Sequence, residues 1–286
     1  MNEILNCPIC NTNLKEGHLV KDHFGSEDRF QLKTCPKCQT LTTSPQPNET
    51  EIGRYYKSDN YISHGDSKGS LFDSLYSTIQ RRNHNYKIKL IRKYSLGHDL
   101  LDFGAGAGSF AKYTQGKTFN VTAVEPDDKA RSRIDNTLET HSSLHTVKQS
   151  FDIITAYHVL EHVHQLHDTL EKFKSLLNRN GTIHIALPNY QSYDAQYYES
   201  FWAGYDVPRH LYHFSQKGVH RLVSDLGLNL VGTHPLKFDC YYVSLLSEQY
   251  KSSNFAPAKA LLKGFISNKK AAQSGEYSSL IYVITN

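Results

Sequence analysis

Short apolar runs alternate with amphipathic runs along most of the chain after residue 98. The apolar runs predict strands, which are Asp99–Phe103, Asn120–Val124, Phe151–Tyr157, 182–187, 228–233 and 280–285. Helical spacing predicts helices, which are 71–95, a helix from Ser109, 166–177, 216–226 with Ser215 as N-cap, and 257–266. Strands that alternate with helices predict an α/β fold whose mostly parallel sheet is covered on both faces.

The same pattern divides the chain into three predicted parts. Residues 1–45 form a small module with a hairpin over 20–32, and the proline-containing stretch 42–50 is interpreted as a linker. Residues 46–95 complete this linker and add a helical cap, and 96–286 form a Rossmann-like domain. Two long stretches interrupt that domain at about 190–214 and about 238–277, and stretches of this length often form lids.

Composition and charge exclude several classes of protein. The 286 residues carry a formal net charge of +4, and the pI of about 8.6 is below the value above 9 that is typical of nucleic-acid-binding domains. The sequence contains neither a run of about 18 apolar residues that could span a bilayer nor a recognisable secretory signal. We therefore expect a cytoplasmic protein with a small-molecule partner and without a membrane or nucleic-acid partner.

Four of the five cysteines form two C-x₂-C pairs, Cys7 with Cys10 and Cys35 with Cys38. This spacing predicts a tetrahedral Cys₄ zinc site in a zinc-ribbon-like module. Since four thiolates fill the coordination sphere, the metal is expected to be structural. The module could serve as a staple for the fold, which we favour, or contact a substrate carrier, a protein or RNA. Cys240 stands alone and is interpreted as an ordinary, semi-buried residue.

A glycine-rich turn joins the strand Asp99–Phe103 to the following helix. Gly104, Gly106 and Gly108 alternate with alanines after Asp102. Glycine lets a ligand approach the backbone closely, and the helix N-terminus favours an anionic group. The G-x-G-x-G spacing departs from the dinucleotide fingerprint G-x-G-x-x-G. Glu125 ends the next strand, where a carboxylate can bind both hydroxyls of a ribose.

These motifs resemble those of class I S-adenosylmethionine-dependent methyltransferases. The segments 102–108, Val124-Glu125-Pro126, 151–162 and 180–189 are similar to four of the family's motifs. The resemblance implies a seven-stranded sheet with an antiparallel last strand, formed here by 280–285. It implies that the turn binds the methionine end of the cofactor, that Glu125 and Pro126 bind the ribose, and that Tyr157 or His158 lies near the methyl group. The turn residues concerned are Asp102, Gly104, Ala105, Gly106 and Gly108.

A first histidine cluster follows the strand Phe151–Tyr157. His158, Glu161 and His162 are spaced so that their side chains can converge. They could cap and orient the loop, which we favour. They could also bind a metal, as the similar segment of ubiquinone-pathway O-methyltransferases implies. His158 stands where those enzymes have a carboxylate, which weakens the expectation of Mg²⁺.

A second histidine cluster lies in 206–215, in the sequence D-V-P-R-H-L-Y-H-F-S. It is similar to the segment of sugar C-methyltransferases in which the position of His210 is implied to accept a proton. Val207 and Arg209 replace the tyrosine and glutamate of those enzymes, which disfavours methylation of carbon. Arg209 could bind an anionic group of the substrate. Tyr61 and His64 lie in a segment that in this family folds over the cofactor, although packing is the simpler interpretation.

The sequence thus predicts methyl transfer to oxygen or nitrogen of a small-molecule acceptor, with His210 or His158 as the general base. Two alternatives stay open at this stage. One is an RNA methyltransferase guided by the zinc module, although the N-P-P-[FY] motif of exocyclic-amine methylation is replaced by Ala156-Tyr157-His158-Val159. The other is a protein that binds the cofactor without turnover.

Overall fold

The structure, a computed structural model, describes residues 1–56 and 71–286, with side chains from residue 77 onward in the second range. The predicted segment around Tyr61 and His64 lies outside the described residues. The strands of the described part, in chain order, are β1 (Lys15–Lys21), β2 (Arg29–Thr34), β3 (Leu41–Ser44), β4 (Asp99–Phe103), β5 (Asn120–Val124), β6 (Glu139–His141), β7 (Phe151–Tyr157), β8 (Leu177–Pro188), β9 (Tyr212–His213), β10 (Asn229–Pro235) and β11 (Ser279–Thr285).

The α-helices of the same part are α1 (Leu71–Tyr94), α2 (Ser109–Gln115), α3 (Asp128–Arg131), α4 (Leu166–Leu176), α5 (Tyr193–Tyr198), α6 (Gln216–Asp225), α7 (Asp239–Tyr250) and α8 (Ala256–Ser274). Short 3₁₀ turns lie at Ile52–Tyr56, Leu144–Thr146, Leu160–His162, Glu199–Phe201 and Ala203–Tyr205. The predicted N-cap of α6 is confirmed, because the backbone N–H of Gly218 donates to the Ser215 hydroxyl at 2.9 Å.

The larger sheet confirms the predicted α/β fold. Its seven strands lie in the order β10-β11-β8-β7-β4-β5-β6. The strands β8, β7, β4, β5 and β6 are parallel, whereas β11 is antiparallel to both of its neighbours. In a parallel sheet the carboxyl ends of the strands lie at one edge, so the residues that follow β4, β5 and β7 are brought together.

The alternation of side chains along β4 divides the core into two layers. Leu100 packs on one face with Phe110 of α2, and Leu101 packs on the other with Phe173 of α4. Successive side chains of a strand point to opposite faces, so one short apolar run contributes to both layers. This explains why the adjacent residues Leu100 and Leu101 of β4 are both apolar and buried.

The smaller sheet joins the N-terminal segment to the rest of the chain. Its order is β1-β2-β3-β9, and all its pairs are antiparallel. The hairpin predicted over 20–32 is present as β1 and β2. The linker predicted over 42–50 is wrong at its start, because Thr42, Thr43 and Ser44 are buried in β3. Thr42 pairs with Tyr212 of β9, so the N-terminal sheet is completed by a strand from the segment rich in histidines.

The stretch 238–277 contains two helices where the sequence predicted one. α7 and α8 pack against each other and connect β10 to β11. A second difference concerns β8, which begins at Leu177 and therefore includes the predicted turn at 180–181. None of the helices in the described residues combines the length and apolar character that a membrane span requires.

Candidate active site

The glycine-rich turn has the conformation that its composition predicts. Gly104, Gly106 and Gly108 all have positive φ, of 72°, 57° and 77°. A Cβ on Gly104 would lie 2.4 Å from Cγ2 of Val159, so a larger residue is excluded there by packing. A Cβ on Gly106 would contact nothing within 4 Å among the described residues. The backbone at Gly106 therefore borders open space, as a turn that binds a ligand requires.

Glu125 connects this turn to the end of β5. Its Oε2 accepts a hydrogen bond of 2.7 Å from the backbone N–H of Gly106, and its Oε1 accepts one of 2.9 Å from the backbone N–H of Asp127. Arg131 donates to the backbone oxygen of Glu125 at 2.8 Å. The carboxylate is thus fixed beside the open turn, on the side where the sequence predicted contact with a ribose.

Asp102 lies under the turn and is almost completely buried. Its Oδ1 accepts a hydrogen bond of 2.7 Å from the Thr155 hydroxyl on the neighbouring strand β7. Burial raises the pKa of Asp102 to about 6, although the Thr155 hydroxyl and the nearby ammonium of Lys87 act in the opposite direction. Asp102 is therefore a carboxylate near neutral pH that is poised to bind a cation.

Lys87 of α1 is a residue that the sequence motifs did not single out. Its Nζ lies 4.0 Å from the ring centroid of Tyr157. Burial lowers the pKa of Lys87, and the carboxylates of Asp102 and Asp239 oppose this shift. Lys87 thus lies between the glycine-rich turn, beside Asp102, and the histidine cluster, beside Asp239. A single lysine in an amphipathic helix carries no motif, so only the packing of α1 could identify it.

Tyr157, at the end of β7, has a buried hydroxyl that finds no hydrogen-bond partner among the described residues. The edge of its ring packs against Phe110, with the ring centroids 5.2 Å apart. Burial raises the pKa of Tyr157 well above its usual range, and the hydroxyl stays protonated. The tyrosine therefore offers an unused donor next to the turn.

His158 stands at the start of the first histidine cluster and has an unusual backbone. Its φ of 58° lies in the left-handed region, which is uncommon for a residue other than glycine and is frequent at functional sites. Its Nε2 lies 3.1 Å from Oδ2 of Asp239, and its Nδ1 lies 3.7 Å from Oε1 of Glu161. Burial lowers the pKa of His158, but these two carboxylates outweigh it and raise the pKa to about 9.

Glu161 is the buried carboxylate at the centre of both histidine clusters. Its side chain is 1% exposed, and neither oxygen has a hydrogen bond within the described part of the chain. Burial alone would raise the pKa of Glu161, but the nearby His158 and His210 hold it below its ordinary value. An ionised carboxylate without hydrogen-bond donors is costly in a protein interior, so this arrangement calls for a partner or a function.

His162 and His210 face this carboxylate from different segments. Nδ1 of His162 lies 3.0 Å from the backbone oxygen of Arg209, and Nδ1 of His210 lies 3.0 Å from that of Gly204. A carbonyl oxygen accepts a hydrogen bond only from a protonated ring nitrogen, so the contact with Gly204 favours the His210 tautomer whose Nε2 has a free lone pair. The contact with Arg209 favours the same tautomer of His162, whose Nδ1 also lies 3.0 Å from the Tyr56 hydroxyl. Burial lowers the pKa of His162 to about 4, and the neighbouring imidazole of His210 acts in the same direction.

Glu161, His162 and His210 could also hold a metal ion. One ligand atom from each of them lies within 4.8 Å of the others. Two imidazoles and a carboxylate form a ligand set that suits several divalent transition metals. The sequence had suggested His158 in place of His210 for such a site, whereas the fold brings in His210 from the segment after β8.

Arg209, predicted as a residue that binds an anionic substrate group, lies in the interior. Its guanidinium donates to Oδ1 of Asp22 at 2.8 Å, to Oδ1 of Asp206 at 2.7 Å and to the backbone oxygen of Tyr55 at 2.9 Å. It is also 4.7 Å from the ring centroid of Phe24. These contacts connect the N-terminal segment to the second histidine cluster and occupy the donors that a substrate anion would need.

The four predicted zinc ligands converge on one point in the N-terminal segment. Sγ of Cys7 lies 3.5 Å from that of Cys38, and Sγ of Cys10 lies 3.4 Å from that of Cys35. All four sulfurs lie within 4.8 Å of one another. Tetrahedral coordination with bonds of about 2.3 Å separates sulfurs by roughly 3.8 Å, so the cluster has the dimensions of a Cys₄ metal site. Cys240, predicted to be semi-buried, is fully buried in α7.

The neighbouring histidines make contacts within the fold. His213 lies on β9, with Nε2 3.0 Å from the Thr43 hydroxyl, and His164 contacts the backbone oxygen of Pro47 at 2.9 Å. The structure thus brings together two groups of side chains. One surrounds the glycine turn, and the other surrounds Glu161. Lys87 lies between them.

Comparison with solved structures gives similar folds at low sequence identity. Magnesium protoporphyrin IX methyltransferase from Synechocystis PCC 6803, solved with bound SAH, is 12% identical with a TM-score of 0.54, and the match covers 83% of this chain and 99% of that one. A second similar structure is a 1,6-didemethyltoxoflavin-N1-methyltransferase from Burkholderia thailandensis, solved with 1,6-didemethyltoxoflavin and S-adenosylhomocysteine. It is 15% identical with a TM-score of 0.51, and the match covers 95% of this chain and 100% of that one. A cyclopropane synthase from Mycobacterium tuberculosis is 13% identical with a TM-score of 0.51, and the match covers 81% of this chain and 95% of that one.

No curated protein sequence matches the chain. A family model described as a methyltransferase domain matches residues 78–233. This match includes the glycine turn, Glu125, both histidine clusters, the strands from β4 to β9 and most of β10, and it extends over more than half of the chain. The chain therefore belongs to the methyltransferase-domain family and is an enzyme of that class.

Proposed function

We propose that the protein transfers the methyl group of S-adenosylmethionine to an oxygen or nitrogen atom of a small-molecule acceptor. The observation that carries this proposal is the open glycine turn at Gly106 with the Glu125 carboxylate fixed beside it. Two of the similar structures were solved with the demethylated cofactor, and one of them also holds a small heterocyclic substrate. These findings support the assignment of both the cofactor and the class of acceptor.

The residues around the turn fit this cofactor. Glu125 would accept hydrogen bonds from the ribose hydroxyls, with Pro126 beside it. Asp102 supplies a buried carboxylate for the α-ammonium group. The turn from Gly104 through Ala105 to Gly108 would allow the methionine end to approach the backbone. When bound, the cofactor supplies an electrophilic methyl group on a sulfonium, and this chain has to orient the acceptor and take up its proton.

Among the two candidate bases we favour His210. The contact of its Nδ1 with the oxygen of Gly204 leaves the lone pair of Nε2 available. Glu161 lies close by and would stabilise the imidazolium that forms when His210 accepts a proton. His158 is the weaker candidate, because a pKa of about 9 keeps it protonated at neutral pH. A charged His158, held by Asp239, suits the binding of an electron-rich acceptor group.

We interpret Glu161, His162 and His210 as a base and its supporting groups rather than as a metal site. The carboxylate of Glu161 already has a cationic neighbour in His158, 3.7 Å away, and a metal ion would have to compete with that charge. The metal content of the purified protein distinguishes the two interpretations. A second metal ion per chain, retained when the cysteine site is removed, would contradict the role as base.

Arg209 and the cysteine cluster are assigned structural roles in this proposal. The contacts of Arg209 with Asp22 and Asp206 hold the N-terminal segment against the segment that carries His210. We propose that the cysteine cluster binds Zn²⁺ as a staple for β1–β3. The N-terminal sheet continues into β9, which supports a role within the fold over the guidance of RNA.

Two measurements test the proposed function. Calorimetry with S-adenosylhomocysteine tests the cofactor site directly, and we expect binding with a stoichiometry of about one per chain. A screen of phenolic, sugar and amine acceptors, read out by release of S-adenosylhomocysteine, tests turnover. Binding without turnover for any acceptor would favour a cofactor-binding protein without catalytic activity, and the absence of binding would overturn the proposal.

A further inference from the structure

The helix α8 presents two different faces. Its small side chains, Ala260, Gly264, Ser267 and Ala271, are buried. Close packing requires this composition, because a Cβ on Gly264 would lie 2.4 Å from Cδ1 of Tyr241 in α7. One face of α8 is therefore fully used by its contact with α7.

The other face of α8 is apolar and exposed. The side chains of Leu261, Leu262 and Phe265 are 65%, 56% and 61% exposed, and Phe255, directly before the helix, is 83% exposed. We call these four residues the α8 apolar face. Single exposed leucines are common on protein surfaces, but a group of large apolar side chains on one helix face marks an interaction site.

The surroundings of the α8 apolar face are basic. Residues 249–275 contain five lysines, at 251, 259, 263, 269 and 270, and neither aspartate nor glutamate. Nζ of Lys263 lies 3.6 Å from the ring centroid of Tyr197, and that of Lys270 lies 3.9 Å from the ring centroid of Tyr193. Tyrosine is enriched at the interface between lipid and water in membrane proteins. Lysine can place its apolar stem in the lipid while its ammonium group reaches the interface.

We propose that α8 docks on the surface of an anionic lipid bilayer. An amphipathic helix that lies in the bilayer interface combines an apolar face with flanking lysines, and α8 has both features. Its 19 residues correspond to about 28 Å of helix, which is ample for a helix lying in the plane of the interface. This docking does not require a membrane-spanning helix, and it departs from the expectation from sequence that the protein has no membrane partner.

Charge decides between a bilayer and the other occupants of such a surface. A second copy of the chain would bring two sets of five lysines together without acidic residues from the same segment to neutralise them. A nucleic acid would neutralise the lysines but would leave Leu261, Leu262 and Phe265 without an apolar environment. Of these three occupants, an anionic bilayer is the one that satisfies both the charge and the apolar face.

The docking surface is connected to the proposed active site. The helix α7 begins at Asp239, which contacts His158, and α7 packs along α8. The same helical hairpin thus reaches from the α8 apolar face to the histidine cluster. Docking would place the helix that contacts His158 near the bilayer. The docking proposal itself depends only on α8 and is testable without knowledge of the acceptor.

Co-sedimentation of the full-length protein with vesicles tests the proposal. We expect binding to vesicles of phosphatidylcholine mixed with phosphatidylglycerol, and little binding to phosphatidylcholine alone. The double variant Lys259→Glu/Lys269→Glu should lower the partition coefficient by about fivefold or more for each lysine. The variant Leu262→Ser/Phe265→Ser should lower it at least as far. The matched control is Leu96→Ser, which changes a leucine that is 91% exposed away from α8 and should bind as the wild type does.

Several outcomes would overturn the docking proposal. They are failure to bind anionic vesicles, binding that the α8 variants do not change, and a dimer that Leu262→Ser/Phe265→Ser converts to a monomer without an effect on vesicle binding. Circular dichroism and S-adenosylhomocysteine affinity show whether the α8 variants are folded. An unchanged cofactor affinity together with lost vesicle binding supports lipid docking and leaves the proposed methyl transfer unaffected.

Discussion

The hydroxyl of Thr43 donates a hydrogen bond of 2.7 Å to the backbone oxygen of His210. The two residues are 167 positions apart in the sequence, and the contact is buried. The backbone N–H of Thr43 also donates to the oxygen of Leu211 at 3.0 Å. The strand that follows the cysteine cluster thus holds the backbone of the proposed general base in place.

Replacement of Thr43 by valine should reduce turnover without affecting cofactor affinity. The variant keeps the shape of the side chain but leaves the buried oxygen of His210 without this donor and Nε2 of His213 without its partner, which costs about 1–3 kcal/mol for each group. We expect a turnover rate about tenfold lower. The free energy of unfolding should fall by about 1–3 kcal/mol for each group that loses its partner. The matched control is Thr42→Val, since the buried hydroxyl of Thr42 has no partner among the described residues. Equal effects of the two variants would refute a special role for the contact between Thr43 and His210.

The variant Glu125→Ala should weaken the binding of S-adenosylhomocysteine by about a hundredfold. Two charge-assisted hydrogen bonds to a ribose would be lost, each contributing about 1.5 kcal/mol or more. Calorimetry measures the effect. Glu139→Ala is the control, because Glu139 lies on the adjacent strand β6 and is half exposed. Unchanged affinity in Glu125→Ala would rule out the ribose assignment.

His210→Ala and Glu161→Gln should each lower turnover by about a hundredfold or more, since general base catalysis contributes factors of this size. Their affinity for S-adenosylhomocysteine should stay at the wild-type value. His141→Ala, which changes a histidine on β6 that is 22% exposed, serves as the control and should keep full activity. Wild-type turnover in His210→Ala would leave His158 as the remaining candidate base.

The buried Asp102 should give the stability a specific dependence on pH. Its pKa is about 6 in the folded protein and about 3.8 when exposed, so the folded state binds the proton more tightly. The contribution of Asp102 to stability is therefore most favourable below pH 4, falls between about pH 4 and pH 6 and is constant above. The total change is on the order of 3 kcal/mol.

Urea unfolding of the wild type and of Asp102→Asn across this range measures the change. The difference in the free energy of unfolding between the two proteins isolates the aspartate from other titrating groups. We expect the wild type to lose stability relative to Asp102→Asn as the pH rises from 4 to 6. A difference that does not vary with pH would show that the pKa of Asp102 is not raised.

The cysteine cluster should bind about one mole of zinc per chain, measured by elemental analysis. Cys38→Ser should lose the metal and lower the melting temperature, because one ligand of the tetrahedral site is removed. Cys240→Ser changes the buried cysteine outside the cluster and should retain the metal. A folded wild-type protein without metal would contradict the zinc assignment.

Part of the candidate site could be predicted from sequence because its residues are local. The strand β4, the glycine turn and Glu125 lie within 27 consecutive residues, and the backbone conformation of Gly104, Gly106 and Gly108 follows from their lack of a Cβ. The alternation of strands and helices likewise determines the α/β sheet, since each apolar run must be buried between two layers. The Cys₄ cluster was predictable for the same reason, because ligand spacing is a local property.

The second half of the site was decided by tertiary structure. β3 was interpreted as a linker because it is short, largely polar and followed by two prolines. Its hydrogen-bond partners come from β2 and β9. The contacts of Asp239 with His158, of Arg209 with Asp22 and of Lys87 with Tyr157 join segments that are far apart in the chain. Their side chains become neighbours only when the whole sheet and its helices have formed. By itself, therefore, the sequence determined the cofactor turn, and the packing of distant segments decided how the histidines are arranged and which face of α8 stays exposed.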